Sequence, residues 1–202
     1  GENDSYICSL IRQDSIEEFV SFITRTNFSI LSSIQPSIFE TNCFLIDKKP
    51  TLIEYAAFFG SIQIFQYLRL NNAELTESLW FYTIHSKNAE LIHFLETDKI
   101  KPPNNSYEKC LEEAIKCHHN DIAEYIKENY IFKPNKQLAL YRDVIELSFK
   151  YNNYFFYPEK FDTNEIFSFL YENNYNEAVD VFIDDRYDDI EEIIILKKAI
   201  YF

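Results

Sequence analysis

The sequence predicts an all-α chain, a solenoid of short helix–turn–helix units stacked side by side. Three observations carry that prediction. Segments 51–68, 78–95 and 109–126 superimpose without gaps, and a fixed period of about 30 residues is the mark of a repeat architecture. Within each segment the apolar residues recur at helical spacing. No stretch of any length shows the apolar–polar alternation of a half-buried strand.

The elements follow in chain order. Residues 1–35 hold an N-terminal helix pair, Ser5 to Leu10 and Ser15 to Ile23, with Phe19, Val20 and Ile23 on the packing face. Residues 36–130 hold the best-matching repeats. Their first helices place apolar or small residues at i, i+3 and i+4: Ile53, Ala56, Ala57; Trp80, Thr83, Ile84; Leu111, Ala114, Ile115. Their second helices carry Ile64, Phe65, Leu68; Leu91, Ile92, Leu95; Ile122, Ala123, Ile126. Each pattern marks one helix face. The small residues on the first helix admit a close neighbour. Units this short cannot bury their own apolar faces and must stack. Gly60, Lys87 and His118 fall at equivalent turn positions, about 27 and 31 residues apart. Residues 131–202 read as degenerate repeats. Ile145, Ser148 and Phe149 fit a first helix, whose partner Pro158 would interrupt. A further pair covers 165–182 with Asn174 at the turn, and 194–202 resembles one more first helix. Asn71-Asn72, Pro102 to Asn105, Pro134-Asn135, Asn152-Asn153 and Asp184-Asp185 supply turn residues between them.

Composition removes several function classes. The chain has 202 residues and a formal net charge of −14, the wrong sign for displacing counterions from nucleic acid. With two glycines, Gly1 and Gly60, no glycine-rich phosphate loop or glycine-flanked serine elbow can be built. The four cysteines, Cys8, Cys43, Cys110 and Cys117, contain no CxxC pair and read as free thiols of a reducing compartment. No apolar run approaches the ~18 residues of a membrane span. Methionine is absent, so Gly1 reads as a processing or expression scar. The apolar end Ala199-Ile200-Tyr201-Phe202 suggests further repeats beyond it.

The stretch Thr51-Leu-Ile-Glu-Tyr-Ala-Ala-Phe-Phe-Gly60-Ser-Ile-Gln-Ile-Phe-Gln-Tyr-Leu68 resembles the ankyrin repeat, with consensus TPLHxAAxxGHxxVVxxLL. Thr51, Ile53, Ala56, Ala57, Gly60, Ile64, Phe65 and Leu68 carry the match, and His119 falls on the histidine after the glycine. From about Pro36 to Tyr130 the chain is similar to the poorly characterised domain preceding ankyrin arrays in large protist proteins. The Asp-Val-Asn of the ankyrin hairpin is mostly missing, so its fingers are expected to be reduced or absent. The resemblance implies a protein–protein interaction module, part of a longer protein, binding an unknown partner through a concave face. That face is formed by the residue pair before the glycine position and by the preceding loop. It corresponds here to Asp47, Lys48, Pro50, Phe58 and Phe59 in the first repeat, Glu74, Leu75, Glu77, His85 and Ser86 in the second, and Asn105, Ser106, Glu108 and Lys116 in the third. The expectation is a non-enzyme of the intracellular, cytoplasmic space, with no cofactor, metal, nucleic acid, membrane or small-molecule substrate. A structural spacer or self-association segment is the alternative, and a helical enzyme without a recognisable motif a further one.

Few residues suggest chemistry. Cys110, Cys117, His118 and His119 form the one metal-like cluster, but Cys110 and Cys117 are seven apart, and the histidines fall at a turn where capping explains them better. His85 is expected at an exposed site and His93 on an outer helix side, neither with a catalytic constellation. Glu112-Glu113, Asp184-Asp185, Asp188-Asp189 and Glu191-Glu192 lack the glycine of a calcium loop and read as solvated turns. Trp80 is expected in the core. Phe58-Phe59 has two readings, an interface anchor or a pair covered by a neighbouring non-standard segment.

Overall fold

The structure is a computed structural model describing residues 1–46, 48–131 and 137–156; of residues 137–142 and 154 it describes the backbone alone. Asp47 and everything expected beyond residue 156, including the 165–182 pair and the C-terminal helix, lie outside the described residues. The chain comprises two compact units, Gly1–Lys133 and Pro134–Phe202.

The described residues are helical. In the first unit they form α1 (Tyr6–Arg12), α2 (Ile16–Thr26), α3 (Leu52–Phe59), α4 (Ile62–Leu70), α5 (Leu79–Ser86), α6 (Ala89–Thr97), α7 (Tyr107–Lys116) and α8 (Asn120–Ile126), followed by a π-turn at Lys127–Ile131. Among them there is no strand, only an isolated antiparallel bridge between Ser33 and Thr51. The second unit contributes α9 (Gln137–Lys150) and a 3-10 turn at Tyr154–Phe156. In α9, Ile145, Ser148 and Phe149 are buried, as their spacing predicts.

Consecutive helices pack as pairs: α1 with α2, α3 with α4, α5 with α6, α7 with α8. The first helices also pack on one another in chain order, α1 on α3, α3 on α5 and α5 on α7. All the apolar positions assigned to packing faces between Ile53 and Ile126 are buried, Thr83 among them. Thr83 meets its hydrogen-bonding need internally, its hydroxyl donating to the Leu79 carbonyl. In the N-terminal pair Phe19 and Ile23 are buried and Val20 is half-buried.

One turn recurs at the end of each first helix. Asp14, Gly60, Lys87, His118 and Asn152 all have positive φ, between 50° and 73°. The N–H of each reaches back three residues, to Ile11, Ala57, Ile84, Ile115 and Phe149. Beyond Asp14, Gly60, His118 and Asn152 the next N–H reaches back five residues, to Leu10, Ala56, Ala114 and Ser148. This left-handed cap satisfies the last helical carbonyls and reverses the chain. A side chain in that conformation costs about 1–2 kcal/mol because Cβ crowds the carbonyl. Lys87→Gly and His118→Gly are therefore each expected to raise stability by about 0.5–1 kcal/mol in denaturant titration. Gly60→Ala should lower it, and a destabilised Lys87→Gly variant would contradict this account.

The first of these turns explains its own residue by docking on a neighbour. The Asp14 carboxylate accepts the Gln63 and Ile64 N–H groups at 3.0 and 2.9 Å, capping α4 of the next pair. The residue after the turn ties back to the preceding first helix. The Ser61 hydroxyl donates to the Ile11 carbonyl at 2.5 Å, and His119 Nδ1–H donates to the Ile84 carbonyl at 2.7 Å. A carbonyl can only accept, so this bond sets the His119 tautomer. Between α4 and α6 the Arg69 guanidinium makes a bidentate pair with Asp98, which holds the Asp98 carboxyl below its usual range.

The segment between α2 and α3 is long and carries no helix among its described residues. Its ends are tied by Ile34 N–H to the Pro50 carbonyl at 2.7 Å and by Leu52 N–H to Ser32 at 3.3 Å. The buried Glu40 carboxylate holds its middle, accepting the N–H groups of Asn3 and Asn42. Leu45 is buried and Phe44 reaches across α3 and α5, which places the candidate site.

Candidate functional site

The site forms at the C-terminal ends of α3, α5 and α7, beside the tip of that long segment. Equivalent residues meet there because the first helices pack in order. The ring of Phe58 stacks on His85 with centroids 5.1 Å apart, and Phe44 lies 4.0 Å from the same imidazole. Phe44 also stacks on Phe58 at 5.7 Å and meets Tyr82 edge-on at 5.1 Å. Lys48 places its ammonium 3.0 Å from the Phe44 centroid and 5.6 Å from that of Tyr82, a cation–π lid over the cluster.

His85 is not the exposed residue that the sequence suggests. Its side chain is 13% accessible, because the Phe44 segment and α7 enclose it. His85 Nε2–H donates to Glu113 Oε1 at 2.9 Å, and the Cys117 sulfur lies 3.5 Å from Nδ1 and 3.7 Å from Nε2. Glu113 and Cys117 share a face of α7 at i and i+4 spacing, which aims both at the histidine from one side. Burial alone would raise the Glu113 carboxyl. The hydrogen bond from His85 and the nearby Lys116 charge outweigh it and hold that carboxyl below its usual range. Lys116 Nζ reaches both Glu113 oxygens at 3.3 and 3.4 Å. Burial, then the Glu113 charge, push the Cys117 thiol up to about 11.

A thiol, an imidazole and a carboxylate with donor atoms within 4.8 Å of one another are the residue types of a nucleophilic relay and of a metal centre alike. A nucleophilic cysteine needs its thiolate stabilised. With Cys117 pushed up to about 11, the thiolate is scarce at neutral pH, so the trio is poorly poised for covalent chemistry.

The other expected residues scatter around this cluster. Pro50 is buried as an acceptor for Ile34, and Phe59 is half-buried between Tyr55 and Phe58, with the Arg12 guanidinium 5.9 Å from its ring. Of the two readings of Phe58-Phe59, coverage by a neighbouring segment describes Phe58, because Phe44 lies on it. Ser86 is half-buried and turned inward, its hydroxyl donating to the Thr83 carbonyl at 2.7 Å. Glu74, Leu75 and Glu77 lie on the loop before α5, the two glutamates exposed. Asn105, Ser106 and Glu108 lie before and at the start of α7, with Asn105 and Glu108 exposed. Lys48, Phe58, His85 and Lys116 are thus brought together, while the Glu74 and Asn105 groups remain on separate loops.

The metal-like cluster read from sequence is dispersed. Cys110 is fully buried, which pushes its thiol up to about 12, and His118 is exposed in the left-handed turn. His119 is occupied by the Ile84 carbonyl. Cys117 finds its partner in His85 on another helix instead. Sequence reasoning missed Phe44, Glu113 and Cys117 as members of this site. The i, i+4 spacing of Glu113 and Cys117 was a visible signal, but nothing in a single helix pointed to His85 as the third group. No family model matches this chain, and neither a curated protein nor a solved structure was found to match it.

Proposed function

We propose that Gly1–Lys133 is an ankyrin-like stack of helix pairs that binds a partner protein. The recurring left-handed turn, the ordered packing of first helices and the equivalent Ser61–Ile11 and His119–Ile84 bonds support the repeat reading. One observation carries the binding reading. Leu31, Ile38, Phe39 and Ile46 are large apolar residues exposed on a single segment, Ile38 at 92%, immediately before the first matching repeat. Large apolar side chains left in water are costly and gain free energy when a partner covers them. In the resembled family the segment before the first helix belongs to the binding face. With Phe58 covered by Phe44, the anchors of the partner surface move from the helix end to this segment.

The experiment is retention of proteins from a native lysate on the immobilised 202-residue chain, compared with an Ile38→Ser/Phe39→Ser variant. A protein retained by the parent and lost by the variant, at unchanged Tm, is the expected result, since exposed residues contribute little to folding. Equal retention by both chains would remove the segment from the binding face. A concentration-dependent dimer abolished by the same variant would replace the partner protein with a second copy.

A further inference from the structure

We propose that His85, Glu113 and Cys117 form a binding site for a divalent metal ion of the zinc class. The three donors come from α5 and from the last turn and C-cap of α7, two helices that pack directly, so the site is built by the tertiary fold. Zinc bonds of about 2.0–2.3 Å at tetrahedral angles separate neighbouring donor atoms by roughly 3.3–3.6 Å. Here Nε2 lies 2.9 Å from Glu113 Oε1 and 3.7 Å from the Cys117 sulfur, and the three donors all fall within 4.8 Å of one another. Side-chain adjustment brings the three donors from these separations to three corners of a coordination tetrahedron.

The chemistry of the donors selects the ion. Thiolate and imidazole favour zinc over magnesium or calcium, which take oxygen donors. On binding, Cys117 loses its thiol proton to solvent, and the imidazole carries its own proton on Nδ1 so that Nε2 can coordinate. The thiolate and carboxylate then balance the double positive charge. Phe44 and Phe58 flank the imidazole and fix its plane, and Lys116 holds the Glu113 carboxylate, the kind of outer support that metal ligands require. The fourth position remains for water.

The test uses the full chain, reduced and stripped with a chelator, and titrated with zinc against a competing chromophoric chelator. One equivalent should bind with Kd tighter than about 10 µM. Cobalt in place of zinc should give the intense visible bands of a tetrahedral ion and a thiolate charge-transfer band. Cys117→Ser should weaken zinc binding at least tenfold and abolish that band, with helicity checked by circular dichroism. His85→Gln supplies the same test if the serine variant fails to fold, and the exposed His93→Ala should bind like the parent. Binding weaker than that limit, a cobalt spectrum without a thiolate band, or undiminished affinity in folded Cys117→Ser would overturn the site.

Discussion

Trp80→Ala is expected to destabilise the first unit by about 3–5 kcal/mol, the range for truncating a large buried aromatic. Trp80 has no exposed surface and meets Tyr107 and Tyr130 edge-on, with centroids at 5.3 and 5.8 Å. Its indole N–H also donates to the Ile100 carbonyl at 2.8 Å, so truncation leaves a cavity and an acceptor without its donor. Domains of this size hold about 5–15 kcal/mol in total, and the loss is a large share of it. Urea titration followed by far-UV circular dichroism measures the effect without relying on the one tryptophan as a probe. Trp80→Phe keeps most of the packing and loses the donor, and should cost less than half as much. A cost below about 1 kcal/mol for the alanine variant would mean that α5 does not pack as described.

Glu54→Ala should cost about 2–4 kcal/mol, unusually large for removing an acidic side chain. Glu54 is buried at the start of α3, where one carboxylate serves two elements. Oε2 accepts the Thr51 N–H at 2.8 Å and closes a capping box, with Thr51 Oγ1 accepting the Glu54 N–H at 3.3 Å. Oε1 accepts hydroxyl hydrogen bonds from Thr76 and Ser78 on the connection into α5. The alanine variant removes the acceptor of one amide and of three hydroxyls, those of Thr51, Thr76 and Ser78. Thr51→Ala removes only the cap and should cost about 1 kcal/mol. The double variant should cost less than the sum, because both changes break one network. Strict additivity in denaturant titration would show that Thr51 and Glu54 do not act as one cap.

Much of the helical layout can be read along the chain. The triads at i, i+3 and i+4 name the buried faces of α3, α5, α7 and α9, and burial follows them residue by residue. The turn register could be read as well, since Gly60 marks a position where Lys87, His118 and Asn152 adopt the same left-handed φ without being glycine. These features are local. Helical periodicity and the cap that ends a helix depend on residues within one or two turns, so a single sequence displays them.

The candidate site could not be read in the same way. His85 and Glu113 are 28 residues apart, and Phe44 reaches both α3 and α5 from a segment with no periodicity. Their meeting depends on how closely α5 and α7 pack and on where a non-helical loop lays its aromatic ring. His85, which its repeat position marks as exposed, is 13% accessible, while Ile38 and Phe39, on the same non-helical segment as Phe44, remain in water. Composition and spacing settle which residues must be inside a helix pair. Packing between pairs, summed over many weak contacts distant in sequence, decides which side chains share a site and which remain exposed for a partner.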